Sequence, residues 1–132
     1  MIYLLDTNSC IKFLNGRSDS VRRHLEARRP QDVALCSVVK AELLYGAIKS
    51  ARKAENIDRL RPFFQKFSSF PFDDAAAEIY GAIRARLERT GTVIGPNDLL
   101  IAAIALARGA TLVSHNTREF SRIEELLLED WE

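Results

Sequence analysis

The sequence predicts a single α/β domain built on a mainly parallel sheet. Three observations support this. The 132 residues fit one domain, long enough to bury a core without staples. Short apolar runs (Ile2–Leu5, Val33–Cys36) suit strands buried on both faces, and Thr111–Ser114 reads as a further short strand. Segments with helical caps and stops separate these runs, the alternation expected of crossover-linked parallel strands.

The elements follow in order. After the first strand, Thr7 or Asn8 can cap a helix running to about Asn15, with Gly16 as its stop. Ser18 or Asp19 can cap an arginine-rich second helix to about Arg28, which Pro30 closes. Val33–Cys36 is the next strand, and Ser37 is the expected cap of a third helix to about Ala51. At 100° per residue, Val38, Ala41, Leu44, Tyr45 and Ile48 share an arc of about 120°, the expected buried stripe, and Glu42 lies about 40° outside it. A fourth helix spans about Ala54–Phe67, with Pro62 a kink or early break. Ser69–Phe72 reads as a strand. Asp73 caps a long helix to about Thr90, and Gly91 stops it. Pro96 occupies a first helical position and Gly109 ends that helix. Thr111–Ser114 is a strand, Thr117–Ser121 a helical turn, and Leu126–Leu128 a last, edge strand.

Composition excludes several classes. Hydrophobic residues make up 47% and charged residues 28%, which argues against disorder and low complexity. The longest apolar run, Leu99–Ala107, has nine residues, too short to span a membrane. The start, Met1-Ile2-Tyr3-Leu4-Leu5-Asp6, lacks a basic region and reads as no signal peptide. Cys10 and Cys36 sit in apolar contexts and are read as reduced core thiols, so the expected compartment is the cytoplasm.

The net charge of +1 gives, taken whole, no sign of a nucleic-acid partner, but the charge is unevenly distributed. Residues 17–66 carry twelve Lys/Arg against six Asp/Glu, and residues 119–132 carry Arg122 against six acids. Arg22, Arg23, Arg28 and Arg29 cluster on and beside one short helix, where they form either a solvated face or a phosphate-tracking surface.

Ligands of open parallel sheets bind beyond the carboxyl ends of the strands. Asp6 follows the first strand at once, and Asn116 follows the fourth by two residues. Asp98 lies in the first turn of a helix that is apolar all round and therefore buried. Singly, each acid has an ordinary structural explanation as a turn, a helix-dipole partner or a helix-border residue. Together with Glu42 they would repel strongly in one cleft, and a divalent cation removes that conflict. An oxygen-only donor set suits Mg²⁺ or Mn²⁺ rather than zinc.

Four stretches carry a resemblance: Asp6-Thr7-Asn8, Val39 to Gly46, Ile94 to Ala103, and Asn116-Thr117-Arg118-Glu119-Phe120. In order and spacing they resemble the PIN-domain ribonucleases, most of all the VapC toxins of bacterial type II toxin–antitoxin systems. The resemblance covers essentially the whole chain. It implies a three-layer α/β/α fold with a five-stranded parallel sheet and an Mg²⁺- or Mn²⁺-dependent endoribonuclease, with tRNA the expected target class. It also implies a VapB-type antitoxin whose C-terminal segment lies between N-terminal helices, and a homodimer.

Carried over position by position, Asp6, Glu42 and Asp98 match the acidic triad. The fourth acidic position falls on the amide Asn116, a departure that Glu119 is placed to offset. The expected roles are metal binding by Asp6 and Asp98, directly or through water; proton acceptance, water holding or help in binding a second ion by Glu42; and orientation of the water or of a metal-binding carboxylate by Asn116. Thr7, Asn8, Asn97 and Ser114 are candidates to hold these groups in place. His24 reads as solvated, and His115 as a neighbour of the site. The phenylalanines Phe63, Phe64, Phe67, Phe70 and Phe72 read as core, with an apolar patch for a partner as the alternative.

Two other readings compete. A phosphoaspartyl enzyme using Asp6 is expected to carry Asp at position 8, where this chain has Asn8. A catalytically silent RNA-binding module has no need of the acidic triad.

Overall fold

A computed structural model describes all 132 residues. Its five strands are β1 (Tyr3–Leu5), β2 (Val33–Cys36), β3 (Ser68–Phe70), β4 (Thr111–Val113) and β5 (Leu128–Glu129). They form one sheet in the order β3-β2-β1-β4-β5, every pair parallel. Seven helices link them: α1 (Thr7–Leu14), α2 (Asp19–Glu26), α3 (Ser37–Ile48), α4 (Lys53–Lys66), α5 (Asp74–Arg89), α6 (Pro96–Ala107) and α7 (Thr117–Phe120). A 3₁₀ turn over Pro30–Asp32 leads into β2.

The chain steps outward from β1 to β2 and β3, then returns to the other side of β1 for β4 and β5. With right-handed crossovers, that reversal puts the helices of the two halves on opposite faces. The packing agrees: α1 meets α2 and α3, α3 meets α4, and α5 packs along α6. The result is three layers, α/β/α. The reversal also opens a crevice at the carboxyl ends of β1 and β4, the position at which doubly wound sheets bind ligands.

Leu4, Leu5, Val33, Leu35, Leu112 and Val113 are buried in the sheet, and Ile101 and Ile104 of α6 are sealed from solvent. Gly109 ends α6 in the left-handed region (φ 61°), a conformation costly for residues with a Cβ. That turn lets the Ala110 N–H bond the Ala105 carbonyl before β4 begins. Of the clustered phenylalanines, Phe63 and Phe67 are buried, Phe64 and Phe70 pack partly buried against the core, and Phe72, 37% exposed, meets Tyr80 edge-on. No helix is long and apolar enough to cross a membrane.

Several local expectations need correction. Asp6, not Thr7 or Asn8, caps α1, its carboxylate accepting the Ser9 N–H at 2.8 Å. Ser37 is the first residue of α3 rather than its cap, and no side chain caps that helix. Pro62 neither breaks nor ends α4, which continues to Lys66. The edge strand begins at Leu128, two residues later than expected.

The largest correction concerns α3. Its buried side is Val39, Leu43 and Ala47. The expected buried stripe faces outward: Tyr45 is 64% exposed, Ile48 50% and Leu44 37%. Both sides of this helix are apolar, so pattern alone does not say which one the sheet covers. Glu42 falls on the border between them, where its carboxylate reaches the crevice.

Candidate active site

The crevice gathers acids from four elements. Leu5 pairs with Val113 in the β1–β4 register, so Asp6 and Ser114 leave adjacent strands side by side. The Asp6 N–H bonds the Val113 carbonyl at 3.1 Å, which anchors the start of α1. Asp98 stands at the third position of α6, after Pro96 and Asn97. Glu42 comes from α3, and Asn116 and Glu119 from the start and body of α7.

Hydrogen bonds hold these groups in position. Thr7 Oγ1 donates to Glu42 Oε1 at 2.6 Å, and Asn97 Nδ2 donates to Glu42 Oε2 at 3.4 Å. Asn116 Nδ2 donates to Glu119 Oε2 at 2.6 Å and lies 3.5 Å from Asp98 Oδ2. The Asn116 backbone N–H in turn bonds Ser114 Oγ at 3.0 Å. Asn8 is exposed and bonds none of the acids. Ser9 is a contributor that sequence reading missed: it is buried, its N–H donates to Asp6 and its hydroxyl donates to the Val113 carbonyl at 3.4 Å. The signal was available, since a residue three beyond a capping Asp supplies the capped N–H.

Electrostatics set the chemistry. Burial pushes the Asp6 carboxyl above its ordinary value, against hydrogen bonds from Ser114 and Ser9, and nearby Glu132 pushes the same way. Asp98 is raised first by burial, then by repulsion from Asp6, Glu42 and Glu119, with the Asn116 amide opposing. No Lys or Arg forms an ion pair with Asp6, Glu42 or Asp98; Arg122, 3.9 Å from Glu119, is the one nearby cation paired with this group. Acids concentrated without basic partners, and offering oxygen donors alone, fit a hard divalent cation.

The arginine cluster divides. Arg22 pairs with Asp19 and Glu26, Arg29 pairs with Asp32, and Arg23 is exposed without an ion pair. Arg28 departs from the surface role considered for it. Its guanidinium lies 4.6 Å from the Tyr3 ring centre and 4.5 Å from that of Trp131, two rings that themselves meet at 5.4 Å, so it makes cation–π contacts with both. Arg28 is thereby committed to the Tyr3 and Trp131 rings. His24, expected to be solvated, stacks on Trp131 at 5.3 Å. His115 faces Asp130 at 3.0 Å instead of the acids.

The fold and this acidic crevice define a PIN-domain protein. The PIN domain family matches residues 3–126, and the chain belongs to that family. Within it, the chain is 43% identical to Ribonuclease VapC2 of Rickettsia felis, over all of this chain and 99% of that protein. It is 39% identical to the tRNA(fMet)-specific endonuclease VapC of Shigella flexneri, over 98% of this chain and 97% of that protein. Among solved structures, VapBC2 from Rickettsia felis bound to a promoter DNA fragment superposes with a TM-score of 0.93 at 42% identity, covering both chains fully. DNA-bound VapBC from Salmonella typhimurium gives 0.94 at 35% identity, covering 100% of this chain and 99% of that one.

Proposed function

We propose that this chain is a divalent-cation-dependent endoribonuclease, the toxin of a VapBC-type pair, which hydrolyses RNA phosphodiester bonds with water as nucleophile. The observation that carries the reading is the convergence of Asp6, Glu42 and Asp98 at the β1–β4 crevice with no Lys or Arg paired to them. Asp6 and Asp98 would hold Mg²⁺ or Mn²⁺. When bound, such a cation supplies Lewis acidity at the scissile phosphate and eases deprotonation of a water.

The chain's own residues do the rest. Glu42, fixed through both oxygens by Thr7 and Asn97, accepts the proton of the attacking water. Asn116 spends its N–H groups on Glu119 and Asp98, which leaves its carbonyl oxygen to orient that water. Because water attacks and the ribose hydroxyl does not, the products carry 5′-phosphate and 3′-hydroxyl ends. The name of the Shigella flexneri relative favours tRNA as the substrate class. Exposed, unpaired Arg23 is free to meet phosphate, and Arg22 and Arg29, held only in surface ion pairs, can exchange those partners for phosphate.

Two surfaces fit the expected partners. A groove of about 280 Å³ between α1, α3 and α4, lined by Ile11, Leu14, Leu43 and Leu60, runs up to Glu42 and suits an antitoxin segment. The outward apolar face of α3 (Leu44, Tyr45, Ile48) suits a second copy of the chain. Both cysteines are free and buried, in keeping with action in the cytoplasm.

Expressing the wild type and Asp98→Asn, each with and without a co-expressed antitoxin, tests the reading. Growth arrest and RNA cleavage by the unaccompanied wild type alone are expected. Equal behaviour of the two chains would instead favour a silent RNA-binding module.

A further inference from the structure

A second set of metal-ligating atoms borders the acidic crevice without including its acids: of the set, Glu132 is near enough to act on Asp6. His115, in the turn after β4, faces Asp130 and Glu132, in the tail after β5. His115 Nδ1 is 3.0 Å from Asp130 Oδ2 and 3.9 Å from Glu132 Oε2, and the three donor atoms lie within 4.8 Å of one another.

Each carboxylate is held by its other oxygen. Asp130 Oδ1 accepts the Glu132 N–H at 2.9 Å, and Glu132 Oε1 faces Lys12 Nζ at 3.3 Å. The tail itself is fixed by Trp131, which is fully buried and whose carbonyl accepts the Ser20 hydroxyl at 2.6 Å. One imidazole nitrogen and two carboxylate oxygens are therefore aimed at one point, with anchored partners behind two of them. Ligand-supporting contacts of this kind strengthen metal sites.

Donor atoms around a first-row cation with bonds of about 2.1 Å stand about 3.0–3.4 Å apart. The His115–Asp130 pair already meets that spacing, and rotations of the exposed His115 and Asp130 side chains bring the two pairs made with Glu132 into the same range. We propose that His115, Asp130 and Glu132 form a second cation site that takes Zn²⁺ or a similar nitrogen-accepting transition metal. The imidazole is what separates this site from the oxygen-only crevice: Mg²⁺ has little affinity for nitrogen, and Zn²⁺ takes it readily. A cation there clips the C-terminal tail to the loop that precedes α7. The site does not depend on ribonuclease activity.

The chain has two histidines, so imidazole ¹⁵N NMR of the full-length protein reads the site directly. On titration with Zn²⁺, the His115 Nδ1 resonance is expected to move to saturation near one equivalent. The His24 resonance, shielded against Trp131, stays in place and serves as the control for folding. Mg²⁺ at millimolar concentration leaves His115 unmoved. Asp130→Asn and Glu132→Gln each weaken the Zn²⁺ response at least tenfold. A His115 resonance indifferent to ten equivalents of Zn²⁺, or an equal response in wild type and both carboxylate variants, would overturn the proposal and leave an ion-paired tail only.

Discussion

Replacing Asn116 by Asp changes the sign of the forces in the crevice without changing its shape. The amide nitrogen of Asn116 sits 2.6 Å from Glu119 and 3.5 Å from Asp98, where it attracts both carboxylates. A carboxylate at that position loses a charge-assisted hydrogen bond and gains two like-charge neighbours. At 3.5 Å, Coulomb repulsion is about 1 kcal/mol at the dielectric of water and about 5 kcal/mol at an effective value of 20. Asp98 and Glu119 are both partly open to solvent and free to move apart, so the expected cost is toward the lower end, about 2–3 kcal/mol. For a chain of this size that lowers Tm by about 8–12 °C.

The assay is thermal unfolding of wild type and Asn116→Asp at pH 7.5, first in EDTA and then in MgCl₂. A cation at ten to one hundred times its Kd returns about 1.4–2.7 kcal/mol. The variant is therefore destabilised in EDTA and shows a larger Mg²⁺ response than the wild type. Acid relieves the repulsion as well, so the deficit narrows by pH 4–5. A variant within about 1 °C of wild type in EDTA, or one with no added response to Mg²⁺, would refute the reasoning.

Three further outcomes are expected. Asp6 has a raised folded-state pKa, so its ionisation costs stability as pH rises from the unfolded value near 3.8 through the raised one. In EDTA at pH 7, Asp6→Asn, which keeps the helix cap, should be more stable than wild type, a gain that vanishes near pH 3; a pH-independent difference would contradict this. Trp131→Ala removes a fully buried ring that carries the Arg28 and His24 stacking, and should cost about 3–5 kcal/mol in denaturant unfolding; a cost under 1 kcal/mol would show the tail to be dispensable. Charge reversal at Arg22 and Arg23 should weaken RNA binding and flatten its salt dependence, whereas an unchanged salt slope would leave these arginines as a solvated face.

Much of the site was legible because its signals are local. Asp6 directly follows an apolar run, and Asp98 opens a helix with no polar side, so topology alone brings both to one edge of the sheet. Glu42 was legible only as a border residue, since the apolar positions of α3 form two faces and either suits burial. Three residues able to cap stand in a row at Asp6, Thr7 and Asn8, and only the fold shows that Asp6 caps while Thr7 turns to Glu42. Arg28 and His24 escaped a local reading because their partner, Trp131, lies more than one hundred residues away. The orientation of the tail toward His115 and Lys12 was equally out of reach, being decided by where β5 joins the sheet.

In the proposed reaction water attacks a phosphodiester in a crevice built by Asp6, Glu42 and Asp98. End-group analysis of RNA cleaved by the purified chain tests this most directly. In Mg²⁺ or Mn²⁺ the wild type should leave 5′-phosphate and 3′-hydroxyl ends, with cleavage abolished by EDTA and reduced at least a hundredfold in Asp98→Asn. Products ending in 2′,3′-cyclic phosphate, or cleavage that persists undiminished in EDTA, would contradict it.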